Sequence, residues 1–297
     1  MEACLFRLFF AYHKLYVIMD NRRQIMSMKT EEDALRALED SKIVSLSRIP
    51  TKLRTKAVSL KAIGIDEASL KYVPEEFKTP EFYLEAVKYE GRALQYIPEK
   101  SKTPELCMEA VKENGSALQY VPEELKTPEL YMEAVKSKTP SGMQYVPESL
   151  KTPQLCLEAV KRNGMALEYV PKELKTCELC NEAIKCKWFG GSALEYVPEN
   201  FKTAELYLNA VKANGSALQY VPEELKTAEL CLEAVKCKTR PGYEVFEYVP
   251  EELRTFELWT EAIKECPWMD EYKLAQSLKY LPERTKRWIL KAISGSR

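Results

Sequence analysis

Residues 222–236 read Pro-Glu-Glu-Leu-Lys-Thr-Ala-Glu-Leu-Cys-Leu-Glu-Ala-Val-Lys, and the six residues before them, 216–221, read Ser-Ala-Leu-Gln-Tyr-Val. Variants of this stretch recur along the chain. A Val-Pro, Ile-Pro or Leu-Pro pair sets prolines at Pro50, Pro74, Pro98, Pro122, Pro147, Pro171, Pro198, Pro222, Pro250 and Pro282, with successive spacings of 24, 24, 24, 25, 24, 27, 24, 28 and 32. Self-similarity at a fixed period is the mark of a repeat architecture. A length of 297 residues would otherwise suggest two domains at about 150 residues each. The repeat replaces that estimate with one quasi-linear array of ten units.

Counting each proline as position 0, threonine stands at position 5 in nine units, from Thr55 to Thr255. In Thr79-Pro80, Thr103-Pro104, Thr127-Pro128 and Thr152-Pro153 the hydroxyl reads as a helix N-cap. The proline then sits at the first helical position, where its missing N–H costs nothing. A glutamate at position 7 suits the positive end of the helix dipole, and a lysine at position 14 or 15 suits the negative end. Gly91, Gly115, Gly164 and Gly215 are expected to stop these helices.

On a helical wheel the apolar positions 8, 9, 10, 12 and 13 cover about 200°, so each helix must be covered on two or more sides. The following Ala-Leu-Gln-Tyr-Val segment ends because the residue before proline avoids the α region. Neither helix is long enough to stand alone in water. Stacking the units buries both. The leucine-rich repeat has a similar period, but its Leu-x-x-Leu-x-Leu-x-x-Asn strand signature is absent. The predicted fold is all-α, an α-solenoid of about ten short two-helix repeats. Residues 50–281 form the solenoid, 29–49 an N-terminal capping helix with Thr30 and Asp33 as a capping box, and 282–297 a C-terminal cap. Residues 1–28 are a leader or a misassigned start.

Residues 109–120, Glu-Ala-Val-Lys-Glu-Asn-Gly-Ser-Ala-Leu-Gln-Tyr, and their near copy at 209–220 resemble a short two-helix repeat family, mainly bacterial, catalogued as a domain of unknown function. The resemblance covers about residues 50 to 285. It implies helical repeats and supplies no catalytic residue. The chain departs from it in the units beginning at Pro122, Pro171, Pro222 and Pro250, where the Asn-Gly linker is replaced.

Composition narrows the chemistry. Lys and Arg number 44 against 45 Asp and Glu, for a net charge of −1, which removes the overall basicity of a whole-chain nucleic-acid binder. One histidine, His13, leaves little room for imidazole acid/base chemistry or histidine metal sites. Nine cysteines in a chain able to build its own core point to free thiols in a reducing compartment, and a cytoplasmic location is expected. Within residues 1–20, Arg7, His13 and Lys14 interrupt the apolar run. No stretch approaches the roughly 20 apolar residues that span a bilayer, so no integral membrane insertion is expected.

Position 9 alternates through Tyr83, Cys107, Tyr131, Cys156, Cys180, Tyr207, Cys231 and Trp259. Helices about 10 Å apart hold such sulfurs beyond shared ligation, so packing is the reading adopted. Cys177 and Cys180 have CxxC spacing, yet Cys180 belongs to this column and Cys177 replaces a first-turn Pro or Ala. No metal, cofactor or catalytic residue is assigned. The tyrosines two places before each proline read as packing residues whose hydroxyls bond to a neighbouring unit. The lysines at position 4, Lys78 through Lys226 with Arg254 last, could follow a phosphate backbone. Acids in every unit offset them, so nucleic-acid binding along this ladder is the alternative.

Function is expected where the repeat is broken. Insertions at 137–142, 186–191, 237–246 and 265–277 all fall between the first helix of a unit and its second, hence on one edge. Their aromatic and basic residues are Lys187, Trp188, Phe189, Lys238, Arg240, Tyr243, Phe246, Trp268 and Tyr272, a mixture enriched at interaction hot spots. The expected function is a non-enzymatic scaffold that binds a protein or peptide through this edge in the C-terminal half.

Overall fold

The computed structural model describes residues 28–40, 45–139, 141–186, 190–237, 242–264, 278–283 and 286–287. The expected leader, apart from Met28, and most of the expected C-terminal cap, all but 282, 283, 286 and 287, lie outside these residues. The described residues are all-α, a repeat solenoid without strands; an isolated bridge joins Asn114 and Thr139.

Each repeat is built the same way. The threonine backbone is extended and its Oγ1 accepts from the amide three residues on, as Thr103 does from Leu106 and Thr203 from Leu206, both at 3.2 Å. A helix of eight to ten residues follows, for example Pro104–Glu113 or Ala204–Ala213. It ends at a residue that turns sharply to extended backbone, Asn114 with φ −142° and ψ 111°. The same side chain caps what comes next: Asn114 Oδ1 accepts from Ser116 N at 3.1 Å and starts Gly115–Tyr120. That second segment is a six-residue 3-10 helix, tighter than the second α-helix implied by a two-helix repeat. The Val-Pro step breaks it, and a single 3-10 turn such as Glu123–Leu125 leads to the next threonine.

The glycine after the asparagine therefore does not stop the long helix. Its reason is close approach: a Cβ at Gly91, Gly115 or Gly215 would run into the carbonyl oxygen of Ala110, Ala134 or Ala234 in the next long helix. Alanine at position 12 is buried throughout, from Ala62 to Ala262, for the complementary reason that a larger side chain would hold the layers apart.

Two compact bodies are present, residues 1–145 and 146–297. Within each, long helices pack on long helices in one layer and 3-10 segments on 3-10 segments in the other. The core between the layers comprises positions 8, 9, 12 and 13 of the long helix, the Ala-Leu of the 3-10 segment and the Val before proline. Position 10, counted with the buried arc on the wheel, is only half-buried at Leu84, Met108, Met132, Leu157, Leu208 and Leu232.

The N-terminal capping helix is Glu31–Glu39, with the Thr30/Asp33 capping box formed. It is itself a repeat helix: Thr30 caps it, Ala37 and Leu38 are buried as the usual Ala-Val pair, and Leu46–Arg48 precedes Ile49-Pro50. Thr55 Oγ1 donates to Glu31 at 2.7 Å and ties it to the next repeat.

Candidate functional site

The basic ladder is largely used up inside the repeats. Lys102 Nζ lies 2.7 Å from Glu99 and donates to the Tyr120 carbonyl at 2.8 Å, with 4% of its side chain exposed. Lys226 bonds Glu223 at 2.7 Å and is 6% exposed. Lys78 and Lys202 make the same pair at 2.6 Å. Arg54 and Arg254 bind carbonyls, Arg54 those of Ile49 and Tyr72, Arg254 those of Val249 and Glu247. Lys102, Arg54 and Arg254 thereby close the open carbonyl end of a 3-10 segment, where an unpaired acceptor would be costly.

The tyrosine column is half-buried, with Tyr72 the exposed member. Its hydroxyls reach backwards to the preceding repeat. Tyr145 OH accepts from Gln119 at 2.9 Å, and Tyr280 OH donates to Glu247 at 3.4 Å. Lys71 lies 4.6 Å from the Tyr96 ring centre. The thiol column is a packing column: Cys107, Cys156, Cys180 and Cys231 are free and buried. Burial pushes Cys107, Cys180 and Cys231 up to about 11. Among the described residues no group of three or more potential ligands could hold a metal.

The insertions differ in how they are tied down. In the first body, residues 137–139 fold back on the preceding repeat. Ser137 Oγ donates to the Ala134 and Thr139 carbonyls at 2.9 and 2.7 Å, Lys138 N to Lys112 O at 3.1 Å, and Gly115 N to Thr139 O at 3.2 Å. In the second body a thiol takes the serine's place. Cys186 Sγ donates to Arg162 O at 3.5 Å and Cys237 Sγ to Lys212 O at 3.6 Å, each at the end of the preceding long helix. The chain re-enters the fold through four-residue α-turns, Gly190–Ala193 and Gly242–Val245.

Of the nine expected contact residues, Lys187, Trp188, Phe189, Lys238, Arg240, Trp268 and Tyr272 lie outside the described residues. Tyr243 belongs by its backbone to the turn Gly242–Val245; its side chain lies outside them. Phe246 is a correction. It is 0% exposed, because counting back from Pro250 puts it in the core column of Leu118 and Leu218, with Val245 in the alanine place. Near the third insertion, a cavity of about 600 Å³ opens between the long helices Ala228–Lys236 and Phe256–Lys264. Leu232, Leu253 and Leu258 line it, with Lys236 and Glu257 also on its wall, and Thr260 stands where every repeat from Pro50 to Pro222 but the one with Asn181 carries Leu or Met.

A family model described as a domain of unknown function (DUF4116) matches residues 56–102, 103–151, 127–175, 152–202, 176–226 and 204–254. The chain belongs to the DUF4116 family. Each matched stretch takes in two successive long helices with their 3-10 segments, so a DUF4116 unit here is a pair of repeats. The matches run through the insertions at 186–191 and 237–246, which are therefore elaborations within DUF4116 repeats. No curated protein and no solved structure matches the chain. The residues that sequence reasoning missed are the anchors, Cys186 and Cys237. Their signal was available, since both occupy the place of Ser137, immediately after the helix-ending lysine at position 14.

Proposed function

We propose that this DUF4116 chain is a non-enzymatic helical-repeat scaffold that binds a protein or peptide partner through the insertion loops of its second body. The observation that carries the reading is the repeated anchoring of those loops. At two alternate repeats a thiol fastens the start of the insertion to the preceding helix end, and a short α-turn fastens its finish. Residues held between two fixed points lose less entropy on binding than a free loop would. Lys187, Trp188, Phe189, Lys238, Arg240 and Tyr243 are the proposed contacts, with Trp268 and Tyr272 from the last insertion; Phe246 is withdrawn to the core. The leucine-lined cavity beside the third insertion offers an apolar socket of the kind that anchors a partner side chain.

The alternative, nucleic-acid binding along the lysine ladder, loses support from cations that already carry carboxylate and carbonyl partners. No helix among the described residues is long and apolar enough to cross a membrane. A cytoplasmic, bacterial setting is part of the proposal, and free thiols fit it.

The test replaces residues 186–191 and 237–246 by the linkers of unbroken repeats and compares affinity capture from the native host with that of the unaltered chain. Loss of a partner from a variant with unchanged circular dichroism supports the insertion edge. Recovery of every partner sinks it. Measured affinity should change little between 50 and 200 mM salt, whereas a fall of about a thousandfold would support phosphate contacts.

A further inference from the structure

The repeat beginning at Pro171 departs from its neighbours at three places within one short stretch. Lys172 replaces the Glu found at position 1 of every other repeat from Pro74 onward, Cys177 replaces the first-turn Pro or Ala, and Asn181 replaces Leu or Met. The structure brings these changes together around one helical turn.

Cys177 is the first residue of the helix Cys177–Ile184 and is exposed; Cys180, three residues on, is 0% exposed beneath it. Helical geometry sets Cα atoms three residues apart at about 5 Å, inside the range of roughly 4.4–6.8 Å that a disulfide spans. Asn181 Nδ2 donates to the Cys177 carbonyl at 3.0 Å and contacts its Sγ at 3.5 Å, holding the exposed thiol beside the helix. The cation that acts on Cys180, Lys175, also differs from Lys102 and Lys226. Lys102 and Lys226 face the buried Cys107 and Cys231, but Glu99 and Glu223 offset their charge. With Lys172 in the glutamate's place, Lys175 bonds the Tyr196 carbonyl at 3.0 Å and no carboxylate among the described residues. Burial lowers its pKa, Cys180 opposing that shift and Lys172 adding to it. Cys107, Cys156 and Cys231 have Pro104, Pro153 and Ala228 three residues before them, where Cys180 has Cys177.

We propose that Cys177 and Cys180 are a redox-active dithiol that exchanges with a low-molecular-weight disulfide of the glutathione class. Cys177 is the exposed thiol of the pair and the one a disulfide in solution can reach; it reacts as its thiolate. That thiolate attacks one sulfur of the disulfide, whose S–S bond breaks; one glutathione leaves as thiolate and takes up a proton. Cys180 then gives its proton to solvent and attacks the Cys177 sulfur, expelling the second glutathione. Two protein thiols are oxidised to one disulfide and one disulfide is reduced to two thiols. Cys177 is exposed and Cys180 buried beneath it, which sets Cys177 as the attacking and Cys180 as the resolving residue; burial also raises the pKa of the Cys180 thiol.

The full chain is equilibrated in glutathione buffers from fully reduced to fully oxidised, quenched in acid, alkylated and weighed. The expected result is a species lighter by two hydrogens, with the protected pair mapping to Cys177 and Cys180. It should be lost in Cys177→Ala, which restores a residue that Ala204 and Ala228 show the fold accepts. Cys180→Ser should stop at a mixed disulfide on Cys177. Three outcomes overturn the proposal: no oxidised pair at any ratio, glutathione retained on Cys177 of the unaltered chain, or a disulfide that maps to Cys186 or Cys237.

Discussion

Gly115 and Gly64 make opposite demands on an added methyl group. At Gly115 it would strike the Ala134 carbonyl, whereas at Gly64 it would meet Tyr89 Cδ1 at an ordinary 3.5 Å. Gly115→Ala should therefore destabilise the protein by about 1–3 kcal/mol, and Gly64→Ala, inside the helix Lys56–Ile65, should stabilise it by up to about 1 kcal/mol. Urea midpoints of the two variants check both signs. Ser59 stands in the thiol and tyrosine column, fully buried, and its Oγ has no hydrogen-bond partner among the described residues. Ser59→Ala should raise stability by about 1 kcal/mol at unchanged m-value, since the unpaired hydroxyl is removed without opening a large void. Composition identified the glycines but not their purpose. A glycine after a helix reads as a stop signal in one dimension, and only the neighbouring helix reveals that its hydrogen atoms face a carbonyl.

The long helices were the most legible elements, because their capping threonine, first-turn proline and terminal lysine are local signals. Thr203→Ala should cost about 1 kcal/mol and Thr203→Ser should recover most of it, read from thermal unfolding. The second segment was legible as helical but not as 3-10, since that choice follows from the extended backbone at Asn114 and its equivalents, which leaves six residues to span the layer. Lysines of one type but different position also separate at this scale. Lys102→Met leaves the Tyr120 carbonyl without its donor and should cost about 1–3 kcal/mol. Lys112→Met removes only an exposed pair with Glu109 and should change stability by less than about 0.5 kcal/mol. A chemical-denaturation series on the two variants distinguishes them.

Repetition turns a small electrostatic effect into one the whole molecule feels. Cys107, Cys180 and Cys231 keep their protons to about pH 11 when folded, while unfolded thiols release theirs near pH 8.5. Between those values the unfolded chain binds fewer protons, so stability is intact below the lower limit and falls as pH rises through the window. Cys156, Tyr83 and Tyr207, also raised by burial, act in the same direction. The urea midpoint should drop between pH 8 and 10.5, and replacing the three thiols by alanine should flatten that limb. At this scale the fold was readable from ten copies of one pattern, whereas the site was readable only as a place. Phe246 was assigned to the insertion because the count ran forward from the helix; counting back from Pro250 returns it to the core. The cation clamps carry one more consequence. Lys102 reaches the carbonyl of Tyr120 across 18 residues, and Lys175 reaches that of Tyr196 across 21, so the same closure survives an insertion. A repeat sealed in this way behaves as a frame with an interchangeable panel, in which new sequence can be spliced, lengthened or exchanged between family members while the spacing of the layers stays fixed.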